Sequence, residues 1–437
     1  MSPYRVLLAV AIILYFGAAI LFWVYGDPST FAIFERIQGV VSVWGPWKTQ
    51  PYAHAPLPFV DLGGVFSWRE CYLRGVDVSL TNPCDLISRG PANYSPVVWH
   101  LPFEVFGLRN PIPAALAQGA LFLLVTFSMF APKNLKETAV AILAAISPPV
   151  FYALERSNLD LIIFAGTVGA LLLSHRHGRS RALVYLAAVG GGLLKFYPFV
   201  LLATLVREPL RRCLPLSLAA ASVIAIFIGT NWSFLKNLAL PKEDLFGMFG
   251  GRIIAKGIQE HLALDFSNRT AIYLSCCIIS ALAMLAVLMR IKDEPRFENA
   301  VDRSSNLVFC GSIVTVACFF SGFNMYYRAI FLLPILAGLL SLRTEFHTEA
   351  MKRILRFVIP GTLLCLYLDR ARFLGMAFIL SGAFIDPLSP IGRAAQLGII
   401  VVKEAIWWSE VTILGALAGA YLINSRAVKE LKQFASA

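Results

Sequence analysis

Ala271-Ile272-Tyr273-Leu274-Ser275-Cys276-Cys277-Ile278-Ile279-Ser280-Ala281-Leu282-Ala283-Met284-Leu285-Ala286-Val287-Leu288-Met289 is a run of nineteen residues without a charge. A helix needs about 20 consecutive apolar residues to cross about 30 Å of hydrocarbon, so this run reads as a membrane span. Basic residues, Arg290 and Lys292, follow it. Comparable runs broken by short basic clusters recur from one end of the chain to the other. The composition agrees: 58% of the 437 residues are hydrophobic and 15% charged, with a mean hydropathy of +0.69. Soluble domains are about 45–50% apolar and about 25% charged. Alternating segments of about ten residues, the mark of a transmembrane barrel, are absent. The sequence therefore predicts an all-α polytopic membrane protein.

The net charge of +12 invites a nucleic-acid partner, but the basic residues form no single patch. They sit in short loops between apolar runs, as the positive-inside rule and anionic cytoplasmic lipid require. Membrane lipid is the expected surroundings, with no nucleic acid. Arg5 precedes the run from Val6 to about Tyr25, which is longer than a signal-peptide core and lacks a small-residue cleavage site, so it reads as an anchor. Arg5 then lies inside, as does the basic tail Arg426–Lys432, which puts both termini in the cytoplasm of a plasma (inner) membrane protein.

Ten spans are expected: Val6–Val24, Ile112–Ala131, Thr138–Leu154, a fourth ending at Arg176, Leu214–Trp232, Ala271–Met289, Leu307–Phe320, Ala329–Leu342, Phe357–Ser381 and Ile406–Asn424. A long first outer loop covers 27–111, with one or two interfacial helices, and a second covers 233–269. The apolar segment 182–206 has basic flanks at both ends, which one span cannot satisfy. Its centre, Gly190-Gly191-Gly192-Leu193-Leu194-Lys195-Phe196-Tyr197-Pro198, carries glycines and a proline that disrupt helices. It reads as a broken, re-entrant hairpin with both ends cytoplasmic and Lys195 near the outer face. The whole chain, 1–437, reads as one transmembrane domain.

Charged groups within or beside spans cost free energy and usually serve function. On this topology they gather at one rim: Asp61, Asp77 and Asp85 in the first outer loop; Glu155, Arg156, Asn158 and Asp160 after the third span; Lys195 at the break; Asn324, Tyr326, Tyr327 and Arg328 in a later turn. Asp369, Arg370 and Arg372 interrupt an apolar span. Each alone also has a plain reading as a loop-end or snorkelling group. Arginine and lysine suit a phosphate, and a placed carboxylate suits a general base for a hydroxyl. No metal-ligand spacing, Walker loop, dinucleotide fingerprint or hydrolase elbow is present, and His54, His100 and His261 read as structural. Cys71 and Cys84 share the first outer loop, where the compartment is oxidising; they are expected to pair, the alternative being two free thiols.

Four stretches carry a family resemblance. They are Asp61-Leu62-Gly63-Gly64 through Tyr72-Leu73-Arg74-Gly75-Val76-Asp77-Val78, Asn93-Tyr94-Ser95-Pro96, Glu155-Arg156-Ser157-Asn158-Leu159-Asp160 and Leu194-Lys195-Phe196-Tyr197-Pro198. The chain resembles the GT-C superfamily of membrane glycosyltransferases, most nearly the polyprenol-phosphate-mannose-dependent α-mannosyltransferases of glycosyltransferase family 87. The likeness rests on the order and spacing of these stretches. Ser95 stands where proline is usual, and the last third departs most. The resemblance implies a GT-C-like bundle in which a polyprenyl-phosphate sugar, mannose in that family, is transferred to a lipid or glycan hydroxyl on the extracytoplasmic face. It implies inversion and needs no nucleotide site. No cofactor is expected, and nothing in the sequence demands a metal. It makes Asp61 the general base, with Asp77 and Asp85 as alternatives. Lys195 and Arg328 would hold the donor phosphate. Glu155, Arg156, Asn158, Asp160, Tyr94 and Asn324 would orient sugar or acceptor. A lipid-linked glycan polymerase or ligase and a lipid-linked sugar translocase are the rival readings.

Overall fold

The structure, a computed structural model, describes residues 2–25, 59–84, 91–101, 111–176, 181–236, 238, 248–298, 302–321, 324–372, 375 and 389–436. Asp85 and His54 lie outside the described residues. The described chain is overwhelmingly helical. In chain order the helices used below are α1 (Pro3–Tyr25), α2 (Val60–Leu73), α3 (Val97–His100), α4 (Pro111–Met129), α5 (Leu135–Ala145), α6 (Pro148–Arg156), α7 (Asp160–Arg176) and α8 (Arg181–Lys195). After a 3-10 segment, Tyr197–Arg207, come α9 (Leu210–Thr230), α10 (Arg252–Leu262), α11 (Phe266–Ile291), α12 (Arg303–Phe320), α13 (Leu332–Leu342), α14 (Glu349–Cys365), α15 (Pro390–Ile423) and α16 (Arg426–Ser436).

Among the described residues, six stretches are long and apolar enough to cross a membrane: α4, α5–α6 taken together, α9, α11, α12 and α15. Four further apolar stretches are shorter, within Pro3–Ala19, Asp160–Ser174, Tyr197–Arg207 and Tyr326–Leu342. The opening run lies inside α11. There Leu274, Ile278, Ile279, Leu282 and Leu285 are each more than half exposed. In water each would forgo on the order of 1 kcal/mol of burial; in hydrocarbon the same surface is at home. This is the construction of a multi-pass membrane protein.

The chain packs as two compact units. The first comprises Met1–Ala55, Phe130–Tyr152 and Glu243–Tyr421; the second comprises Pro56–Met129, Ala153–Lys242 and Leu422–Ala437. In the first, α12 lies along α13, and α5 packs on α1, α13 and α14. The closeness of α12 and α13 depends on Gly338, where a Cβ would sit 2.6 Å from the Ser304 carbonyl oxygen. In the second unit, α7 lies between α4 and α8, with Phe122 and Phe164 in ring contact at 4.9 Å. The 3-10 segment packs on α8, α9 and α16, through a small core of Leu205, Cys213 and Ala427.

Several elements differ from the sequence reading. The expected span Thr138–Leu154 is two helices meeting at Ile146–Ser147. Ser147 precedes Pro148, and the proline ring disfavours helical backbone at the preceding residue. The expected span Phe357–Ser381 begins earlier, as α14, which closes at Cys365; helix resumes over 368–372, and most of the rest of that span lies outside the described residues. The expected span Ile406–Asn424 is the last half of α15, whose charged residues Arg393, Lys403 and Glu404 hid the first half. A two-residue antiparallel ribbon pairs Met248 with Met325 and Phe249 with Asn324, too short for any periodicity to reveal.

The hairpin centre is instructive. Gly190, Gly191 and Gly192 do not break the helix; they are regular residues of α8. They serve packing, because a Cβ on Gly192 would lie 2.4 Å from the Phe199 ring, and one on Gly191 would lie 3.1 Å from Pro198. The break falls at Phe196, at φ 58° and ψ −52°. The chain then turns back as the 3-10 segment against the glycine face.

Candidate active site

Three helix ends of the second unit converge. Asp61 sits in the first turn of α2, Asp160 in the first turn of α7, and Lys195 in the last turn of α8. Each charge complements its helix dipole: carboxylates at N-terminal ends, an ammonium at a C-terminal end. α2 buries Leu62, Val65, Trp68 and Cys71, a spacing of three that seats one face of the helix in the unit.

Asn158 connects these ends. Its Nδ2 donates to Asp61 Oδ2 and to the Tyr94 hydroxyl at 2.9 Å. Its Oδ1 accepts from Lys195 Nζ and from the Asp160 amide at 3.0 Å. Two donors and two acceptors exhaust what an asparagine amide offers, so its orientation is fixed. Arg156 Nη2 donates to Asp61 Oδ1. Lys195 Nζ pairs with Asp160 Oδ1 at 3.0 Å, which also accepts from the Tyr197 hydroxyl at 2.9 Å. Lys195 Nζ stands 4.4 Å from the centre of the Tyr94 ring, a cation–π distance, and Trp68 meets Tyr94 edge-on at 5.2 Å.

The network has an open and a closed end. The Asp61 and Arg156 side chains are each 12% exposed, whereas Lys195 is 2% and Asp160 0% exposed. Burial, then the nearby Asp61 and Asp160 carboxylates, holds the Tyr94 phenol well above its usual pKa of 10.0. It therefore keeps its proton.

Backbone strain collects here. Four non-glycine residues among the described ones have positive φ: Phe59 (67°), Ser157 (48°), Phe196 (58°) and Ala263 (52°). The first three flank Asp61, Arg156–Asn158 and Lys195. Such conformations cost on the order of 1–3 kcal/mol each and persist where surrounding contacts over-determine them, typically at functional sites. Those contacts are present. The Phe59 amide donates to the Glu155 carbonyl at 2.6 Å, and the Ser95 amide to the Leu194 carbonyl at 3.4 Å. Gln118 of α4 donates to the Asn158 carbonyl and accepts from Ser157 Oγ at 3.4 Å.

Of the residues singled out from sequence, Asp61, Tyr94, Arg156, Asn158, Asp160 and Lys195 are thus brought together. Glu155 is buried and joins through its carbonyl. Asp77 instead closes its own turn, accepting from the Ser79 amide and hydroxyl at 2.9 and 2.6 Å. Asn324 and Arg328 belong to the first unit, where Arg328 donates to Asn324. Gln118 and Tyr197 were not foreseen as members; Gln118, a polar residue inside an apolar run, was the available signal. Among the described residues, no three His, Cys, Asp or Glu side chains lie together in a way that could hold a metal ion.

Cys71 and Cys84 form a disulfide, Cα atoms 5.7 Å apart. It ties the end of α2 to the following loop, which Asn82 also joins through Ser67 at 2.9 Å. A closed loop of this size contributes about 3 kcal/mol through restriction of the unfolded chain. Cys71→Ser/Cys84→Ser is expected to lower stability by about that much. Thermal unfolding with and without reductant checks this: reductant should destabilise the natural chain and leave the double variant unchanged.

The first unit holds a second buried set. Lys403 Nζ pairs with Asp369 at 3.1 Å and Glu404 at 3.1 Å and donates to the Met248 carbonyl at 2.9 Å. Arg372 lies 3.6 Å from Asp369. Asp369 and Arg372 stood out in the sequence; Lys403 and Glu404, inside an apolar helix, were the missed signal.

Compared with protein-family models, curated proteins and solved structures, the chain matches none.

Proposed function

We propose that the protein is a membrane glycosyltransferase that takes a sugar from a polyprenyl-phosphate donor and passes it to a lipid or glycan hydroxyl at the extracytoplasmic face. The supporting observation is the Asp61 carboxylate at the open end of a buried, strained polar network rich in cationic and hydroxyl groups. The acceptor oxygen bonds to the anomeric carbon as the bond from that carbon to the phosphate oxygen breaks. Polyprenyl phosphate leaves with the electron pair, and the acceptor proton passes to Asp61. Attack opposite the leaving group inverts the anomeric centre. Asn158 fixes Asp61, and Tyr94, which keeps its proton, is a hydroxyl for the sugar. The GT-C-like reading keeps about ten spans, the six long helices being joined by α1, α7, the stretch Tyr326–Leu342 and α14. It also keeps the hairpin 182–206 as re-entrant, both termini cytoplasmic, and the plasma membrane as location.

The second reading, a lipid-linked sugar translocase, is favoured by Lys403 and Glu404 buried in a long apolar helix, since transport sites carry charge within spans. Incubating purified protein with a panel of polyprenyl-phosphate sugars and a lipid extract, followed by mass analysis, separates the two. A new glycosylated product supports transfer. Recovery of every donor unchanged excludes it.

A further inference from the structure

The geometry points to Arg156, rather than Lys195, as the ligand of the donor phosphate, and to its ion pair with Asp61 as a latch that the phosphate opens. This rests on the transfer reading above and adds how the base is controlled. Lys195 is 2% exposed and engaged by Asp160 at 3.0 Å, by Asn158 Oδ1 and by the Tyr94 ring at 4.4 Å. To reach a phosphate it would have to abandon a fully buried carboxylate, which is strongly unfavourable. Arg156 stands at the open end beside Asp61, the two equally exposed at 12%. Its planar guanidinium matches two oxygens of a phosphate as well as those of a carboxylate.

While Arg156 holds Asp61 Oδ1, the guanidinium occupies the position from which an acceptor hydroxyl would reach that oxygen. A lipid-borne phosphate competes for the same guanidinium. When Arg156 transfers to it, Asp61 keeps only the Asn158 amide from this pair of donors, on Oδ2, and presents Oδ1 to the acceptor hydroxyl. In the transfer step the acceptor O–H bond breaks and its proton goes to Oδ1. The new bond forms at the anomeric carbon, and the departing phosphate carries the electron pair to a site Arg156 has neutralised. The base is therefore armed only when a donor is present.

The test is a binding cycle on the full chain in nanodiscs of zwitterionic lipid, with polyprenyl phosphate as probe. Arg156→Gln should weaken binding by roughly tenfold or more, the size of a charged hydrogen bond. Asp61→Asn should tighten it severalfold, and Asp61→Asn/Arg156→Gln should bind like Arg156→Gln alone. A latch is non-additive in this way. If Asp61 merely repels the phosphate, its gain persists without Arg156, and the latch is overturned. Unchanged binding by Arg156→Gln overturns the assignment of Arg156. Arg156→Lys, which keeps the charge, serves as the folded control, and thermal unfolding is recorded for every variant. Inorganic phosphate and phosphatidylglycerol are run as competitors. Competition by either that equals polyprenyl phosphate assigns the site to free phosphate or to lipid headgroups and overturns the donor role. Absence of polyprenyl phosphate binding to the natural chain overturns the donor class itself, whereas binding with an additive cycle overturns the latch alone.

Discussion

Asp61→Asn is expected to lower sugar transfer by roughly 10²–10⁴-fold, the usual contribution of a placed general base, in a protein that still folds. The amide has nearly the shape of the carboxylate but accepts no proton. One of its two positions becomes an NH₂, so either Arg156 or Asn158 loses its acceptor, a loss of about 1.5–3 kcal/mol for a bond to a charged group. Initial rates and the unfolding temperature, measured on the same preparation, check both halves. A variant with near-natural rates would remove Asp61 from the chemistry. A variant that fails to fold would show that Asp61 is structural.

Lys195→Met is expected to destabilise the second unit by about 3–5 kcal/mol, because it leaves a buried carboxylate without its counter-charge. Asp160 is 0% exposed, and the Tyr197 hydroxyl also donates to it. Asn158 Oδ1 loses a donor in the same step, which loosens the amide that fixes Asp61. The double variant Lys195→Met/Asp160→Asn should recover part of the loss, since no charge is then stranded. Thermal unfolding of the solubilised protein reads this. If the single variant is as stable as the natural chain, the Lys195–Asp160 pair does not hold the network together.

These two residues also show what was legible in the sequence. Asp61, Arg156, Asn158, Asp160 and Lys195 stood out because they break apolar stretches, and the structure brings all five together. Their division of labour was not legible. Lys195 read as a phosphate ligand because a cation at a helix break near the outer face suits a phosphate; only packing reveals it pinned by Asp160 and Tyr94. Arg156 read as a sugar contact because nothing in a sequence shows that its partner is Asp61, ninety-five positions away. Helices such as α4 and α11 could be placed closely from uninterrupted apolar runs. α15 could not, because Lys403 and Glu404 look like an ending until their mutual pairing is seen. The glycines of α8 misled for a related reason. Glycine weakens a helix locally, but here the lost side chains admit Phe199 and Pro198, a tertiary gain that local propensity does not contain. Asp77, the alternative base, is absorbed by its own turn at Ser79.

Transfer from a lipid phosphate makes one demand that transport and hydrolysis do not share: each sugar gained by an acceptor releases one polyprenyl phosphate. Quantifying both products by mass, in one reaction of the full chain reconstituted in vesicles, tests this most directly. Equal amounts of glycosylated acceptor and polyprenyl phosphate are predicted, with both suppressed together in Asp61→Asn. Donor moved across the bilayer intact, or polyprenyl phosphate released with no glycosylated acceptor, would contradict it.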